Sequence, residues 1–134
     1  MSVIGVGIDL IEIDRITRAL ERRPRFTERC FTPREAAYCQ SRAFPAQHFA
    51  ARFAAKEAVG KALGIGMTRW REVEVVRHGG PPSVALTGRY AQRAEDLGVT
   101  QITISLTHSR DTAAAVAVAE GAGRHTHEVL APSS

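Results

Sequence analysis

Three short stretches of the chain combine residue types and spacings that can do chemistry. The first is Gly5-Val6-Gly7-Ile8-Asp9, with Arg15 six residues after the aspartate. Its glycine spacing overlaps that of a dinucleotide motif. The third glycine is missing, however, and Asp9 stands where such a motif would enter its helix. A carboxylate at a strand end beside glycines is placed either to hold a metal ion or to N-cap the following helix. The second stretch, residues 53–61, reads FAAKEAVGK. Phe53, Glu57 and Lys61 fall at i, i+4 and i+8 on one helical face, with Phe49 a turn earlier. Arg52, Lys56 and Lys61 crowd positive charge around the single carboxylate of Glu57, which suits a phosphate-binding surface with a metal ligand inside it. The plainer alternative is a Glu57–Lys61 surface pair worth a few tenths of a kcal/mol. Small residues at Ala54, Ala55, Ala58 and Gly60 let other backbone or a ligand approach closely. The third stretch is Ser105-Leu106-Thr107-His108-Ser109. Its hydroxyls and imidazole, at a predicted strand end, can donate hydrogen bonds to phosphate oxygens.

The elements that must position these residues follow from periodicity. Residues 3–9 alternate as a strand, with Ile4, Val6 and Ile8 on one face and Val3, Gly5, Gly7 and Asp9 on the other. The two glycines predict that a helix or a ligand comes close to that backbone. From about Ile11 the period becomes helical: Ile13, Ile16 and Leu20 form the apolar side, and Arg15, Arg18 and Arg22 a polar stripe. Thr32 followed by Pro33 predicts an N-cap and a helix through about Arg42. Pro45 opens a long alanine-rich helix through Leu63, ended by Gly64 and Gly66. Residues 72–77 and 83–87 read as a hairpin around HGGPP, 88–97 as a helix stopped by Gly98, and 101–107 with 112–119 as a final strand pair. The order β-α-α-α-β-β-α-β-β predicts an α+β fold, a mostly antiparallel sheet packed on one long central helix. Residues 1–120 form one domain in this reading. Residues 121–134, with His125 and His127, read as a flexible tail.

Composition narrows the function. The chain has 134 residues, 44% hydrophobic and 24% charged, as a soluble globular domain requires. No apolar run reaches the length of a membrane span, and MSVIGVGIDL lacks the features of a signal peptide, so no membrane partner is expected. Two cysteines, Cys30 and Cys39, make no disulfide scaffold or zinc site, and the default compartment is the reduced cytoplasm. The net charge of +4 suits an anionic partner: nucleic acid, a phosphorylated ligand or an acidic protein. Of eighteen lysines and arginines, only Lys56 and Lys61 are lysine. They fall within one six-residue window, where a compact, mobile ammonium differs from a guanidinium. Between positions 15 and 34 there are seven arginines and two glutamates, a local +5. That stretch is either a solvated helix face or a docking surface for an acidic protein.

Together the three stretches resemble the holo-[acyl-carrier-protein] synthase family, the small phosphopantetheinyl transferases. The family's signatures are G-x-D followed six residues on by Arg, then F-[AS]-x-K-E-A-x-x-K, then a late S-x-[ST]-H. Gly7-Ile8-Asp9 with Arg15, residues 53–61, and residues 105–108 match them in order. One departure is Pro81 before Pro82, where members often carry a basic residue. The resemblance implies transfer of 4′-phosphopantetheine from coenzyme A to a serine of apo acyl carrier protein, with release of adenosine 3′,5′-bisphosphate. It implies Mg²⁺ as cofactor, with Asp9 and Glu57 as ligands and Glu57, Lys61 and Asp9 as the catalytic group. Arg52, Lys56, Lys61, Gly64, Gly66, Ser105, Thr107 and His108 are then expected to bind coenzyme A, and Arg15, Arg18 and Arg22 to contact the carrier protein. A homotrimer with sites between protomers is also implied. Two other classes stay open at this stage. A basic nucleic-acid-binding protein fits the charge, but the arginines follow no recognised binding motif, and no nucleic-acid partner is expected. A non-catalytic coenzyme A or nucleotide-binding module fits the phosphate ligands but leaves Asp9 and Glu57 without a task.

Overall fold

The computed structural model of the chain describes residues 1–77 and 79–122. The elements run β1 (Ser2–Glu12), α1 (Ile13–Arg22), α2 (Phe26–Cys30), α3 (Pro33–Gln40) and α4 (Pro45–Leu63). A 3-10 turn (Trp70–Glu72) leads to β2 (Val73–Val76), β3 (Ser83–Leu86), α5 (Gly88–Leu97), β4 (Val99–His108) and β5 (Thr112–Gly121). Among the described residues, no helix is long and apolar enough to cross a membrane.

The expected α+β architecture with antiparallel pairing is present, divided between two sheets. The main sheet has strand order β1-β5-β4, and the β2-β3 hairpin forms a second, two-stranded sheet. The order of elements matches the sequence reading except for α2, a five-residue helix between α1 and α3. The first strand is longer than its alternation suggests: it continues through Glu12, and the helix begins only at Ile13. At the other end, Gly121 closes β5 opposite Ser2 and Val99 and so belongs to the sheet. The remainder of the expected tail, with His125 and His127, lies beyond residue 122, outside the described residues.

Local chemistry explains three helix boundaries. Thr32 and Glu35 form a reciprocal capping box at the start of α3, with Pro33 in the first turn. α4 starts on Pro45 and ends on Gly64, whose φ of 74° suits a residue without a Cβ. Between these limits α4 is buried almost all round, as its alanine-rich, weakly amphipathic sequence requires.

The packing of α4 on the sheet depends on small residues. Ala113, Ala115, Ala117 and Ala119 of β5 all point inward and are at most 3% exposed. A Cβ on Gly5 would overlap the Ala62 carbonyl, and one on Gly7 would overlap that of Ala58. The glycine face of β1 therefore meets a helix, and Ala58 is small because strand backbone lies against it. The opposite face of β1 is apolar yet open: Val6, Ile8 and Leu10 are 59%, 68% and 71% exposed. Strands usually turn such a face to the core.

Candidate active site

Asp9 lies inside β1, paired with Ala115 and directed to the side on which α4 packs. The strand-end and N-cap readings of Asp9 are both overturned, because three more strand residues separate it from α1 and Glu12 holds the N-cap position. Lys61, in the last turn of α4, brings its Nζ to 3.0 Å from Asp9 Oδ1 and donates a second bond, also 3.0 Å, to the Ile8 carbonyl. Glu57 sits one turn earlier on the same helical face. Burial raises its carboxyl above the usual carboxylate range, the charge of Asp9 adds to the shift, and Lys61 opposes it. Two carboxylates and one ammonium thus lie together between a strand and a helix.

The donor set fits a magnesium ion. Magnesium takes one or two carboxylates and completes its shell with water and phosphate oxygens, so a two-carboxylate site suffices. Among the described residues, no cluster of three or more His, Cys, Asp or Glu is arranged for a metal, which leaves no self-sufficient protein cage. The unfavourable pairing of Asp9 with half-buried Glu57 is what a cation between them would relieve.

Lys56 does not join this group, contrary to its assignment as a coenzyme A ligand. It lies about 100° round the helix from Glu57, fully buried, with Nζ 2.6 Å from Glu35 Oε1 and 3.0 Å from the Trp70 carbonyl. Glu35 is saturated in turn by the backbone N–H groups of Thr32 and Val75. This buried ion pair joins α3, α4 and β2. The crowd of three cations around Glu57 therefore reduces to Lys61.

Arg52, only 3% exposed, lies on the same flank as Lys56, with its guanidinium 4.2 Å from the Tyr38 ring centroid. Its Nε has no hydrogen-bond partner among the described residues. His48, one turn before Arg52, packs 6.2 Å from the ring of His108 at the end of β4. Burial lowers the His48 pKa, and the positive surroundings of Arg52, Arg42, His108 and Arg77 lower it further. This cationic group lies toward the β4 edge of the sheet, whereas Asp9 lies on the β1 edge. Ser105 and Thr107 point to the outer face of the sheet, away from α4, so a single chain does not unite them with His108 or with Asp9. Gly64 and Gly66 lie in the exposed loop that leaves α4, close in sequence to Lys61.

Arg15, Arg18 and Arg22 are all exposed and line one groove of about 260 Å³ beside Phe26 and Phe53. Arg18 is paired with Asp14. The groove continues into a larger one of about 750 Å³, with Arg22, Arg23, Arg25 and Arg29 on its rim. Phe53 and Trp70 stack at 4.4 Å along its floor. Phe53, which lines both grooves, is one turn of α4 before Glu57. Sequence reading missed His48, Phe26 and Trp70. The only signal for them was aromatic and imidazole character without a fixed period.

A profile of the 4′-phosphopantetheinyl transferase superfamily matches residues 5–119, and the chain belongs to that family. Family membership makes it a transferase. Over 121 residues it is 52% identical to the holo-[acyl-carrier-protein] synthase of Moorella thermoacetica, covering 88% of this chain and 94% of that protein. It is 29% identical to the solved holo-[acyl-carrier-protein] synthase of Neisseria meningitidis, with a TM-score of 0.80 over 89% of this chain and 99% of the other. A Chronobacterium ammoniagenes relative solved with coenzyme A is 28% identical, with a TM-score of 0.79 and coverage of 90% and 98%.

Proposed function

We infer that this chain transfers 4′-phosphopantetheine from coenzyme A to a serine of apo acyl carrier protein, releasing adenosine 3′,5′-bisphosphate. The observation that carries this reading is the meeting of Asp9, Glu57 and Lys61 between β1 and α4, one helical turn from the Phe53 that lines the basic groove, in a chain of this family. Mg²⁺ is the cofactor, held by Asp9 and Glu57; when bound it neutralises charge on the pyrophosphate oxygens. Serine Oγ attacks the phosphorus that bears the pantetheine arm. The new O–P bond forms as the P–O bond to the adenosine phosphate breaks, and that oxygen departs with the bisphosphate. Such a transfer demands alignment and charge stabilisation more than covalent catalysis. Glu57, with its raised pKa, accepts the serine proton directly or through a water. Lys61 stabilises charge growing on the pyrophosphate.

Coenzyme A binds along the Gly64–Gly66 loop and against Arg52 and His108, the buried guanidinium and the imidazole being suited to phosphate oxygens. Within one chain Arg52 and His108 sit toward the β4 edge, away from Asp9 on β1. A homotrimer with sites between protomers would bring one copy's β4 flank to another's β1 flank, and would give Ser105 and Thr107 access to a neighbour's nucleotide. The open apolar face of Val6, Ile8 and Leu10 supports such an assembly. The carrier protein docks on Arg15, Arg18 and Arg22. The reaction is cytoplasmic. The test is intact-mass spectrometry of apo carrier protein incubated with coenzyme A, magnesium and this enzyme. A gain of one phosphopantetheine is expected. Unchanged carrier mass, with salt-sensitive binding of mixed oligonucleotides, would favour a nucleic-acid-binding protein instead.

A further inference from the structure

We propose that Tyr90 and Arg93 of α5 are positioning residues for the transfer: they fix the last turn of α4 and the loop after it against which coenzyme A binds. The proposal rests on the reading that Gly64 and Gly66 line the coenzyme A site. That loop begins three residues after Lys61, carries two glycines and is largely exposed. Left to itself, such a segment would lose backbone entropy every time a ligand ordered it.

Two side chains of α5 remove that freedom. Tyr90 is fully buried, and its hydroxyl both accepts from the Thr68 N–H at 2.8 Å and donates to the Gly66 carbonyl at 2.8 Å. Arg93 Nε donates to the Leu63 carbonyl at 2.8 Å, at the C-terminus of α4, where a cation is favourable. Spaced by three residues, Tyr90 and Arg93 share one face of α5. The start of α5 is secured independently: Glu72 Oε1 accepts from the Arg89 N–H at 2.8 Å, and the Glu72 carbonyl accepts from Thr87 at 2.9 Å. A phenylalanine at position 90 would fill the same core volume without burying a polar atom. The hydroxyl is spent on the backbone of one loop, at residues 66, 68 and 69.

The test compares Tyr90→Phe, Arg93→Met and Gly66→Leu with the wild type in steady-state transfer, after thermal melts confirm folding. Tyr90→Phe should raise the coenzyme A KM by about 3- to 10-fold, the loss of one or two ordinary hydrogen bonds. The carrier-protein KM and kcat should stay near wild type. Arg93→Met should act in the same direction, and it decides the matter if Tyr90→Phe fails to fold, since its partly exposed side chain leaves no core cavity. A Cβ at Gly66 meets nothing within 4 Å, so Gly66→Leu should fold and raise the coenzyme A KM only if the loop lines the nucleotide site. If Gly66→Leu raises it while Tyr90→Phe and Arg93→Met do not, the brace is overturned and the loop reading stands. If Gly66→Leu has no effect, the loop is not at the nucleotide and both fall. Equal rises in the KM of both substrates would mean general loosening and would also overturn the proposal.

Discussion

Lys61 and Asp9, fifty-two residues apart, meet with Nζ 3.0 Å from Oδ1 and so tie the last turn of α4 to the middle of β1. The pairing is possible because Gly5 and Gly7 let the helix lie directly on the strand. It places an ammonium beside two carboxylates, between the helix and the strand.

Lys61→Arg tests whether that ammonium acts as a compact charge. The guanidinium keeps the charge but is bulkier and planar, and does not present it as the compact point charge that bonds Asp9 and Ile8. Turnover should fall about tenfold in Lys61→Arg and about 100-fold in Lys61→Met. A fully active Lys61→Arg enzyme would make Lys61 a generic cation.

Glu57 should cost the resting protein stability. Its folded pKa is raised, chiefly by burial and then by Asp9, so the protonated form is favoured in the fold. The stability linked to that proton is present below the ordinary carboxylate pKa and is lost as pH rises through the folded value. Glu57→Gln should therefore melt at a higher temperature than wild type at neutral pH without magnesium, and the difference should vanish under acid. A lower melting temperature for the variant at neutral pH would contradict the burial argument.

Lys56→Met separates structure from binding. It would strand Glu35 in a fully buried site and should cost about 3 kcal/mol or more in chemical denaturation. The folded variant should keep a near-normal KM for coenzyme A. A large rise in that constant would return Lys56 to the ligand set.

Arg22→Glu should raise the carrier-protein KM by about 3- to 10-fold at moderate salt and more as salt falls. Arg18→Glu should do less, since Asp14 already pairs with Arg18. The coenzyme A KM should not change in either variant. If it rises instead, the arginine groove belongs to the nucleotide.

Much of the molecule was legible from local chemistry. Proline starts, the Thr32 cap and the glycine stop at Gly64 marked α3 and α4, and Gly5 and Gly7 announced a close neighbour for β1. Glu57 and Lys61 fell on one face because a helix turns through a known angle per residue. The same angle should have separated Lys56 from Glu57, but charge proximity along the chain masked it. The partner that neutralises Lys56 is Glu35, in another helix, and no local pattern links the two. α2 is too short to show a period, and Asp9 looked like a strand end because the apolar alternation around it serves an exposed face. Tyr90 and Arg93 act through backbone carbonyls and an amide of a distant loop, which carry no residue-type signal.

Single-turnover transfer by folded Asp9→Ala and Glu57→Ala enzymes, at ordinary magnesium and saturating coenzyme A, tests the central claim most directly. Removing either ligand of a two-carboxylate site should lower the rate by about 100-fold or more. Near-normal transfer by either variant would contradict the assignment of Asp9 and Glu57 as the metal-holding pair.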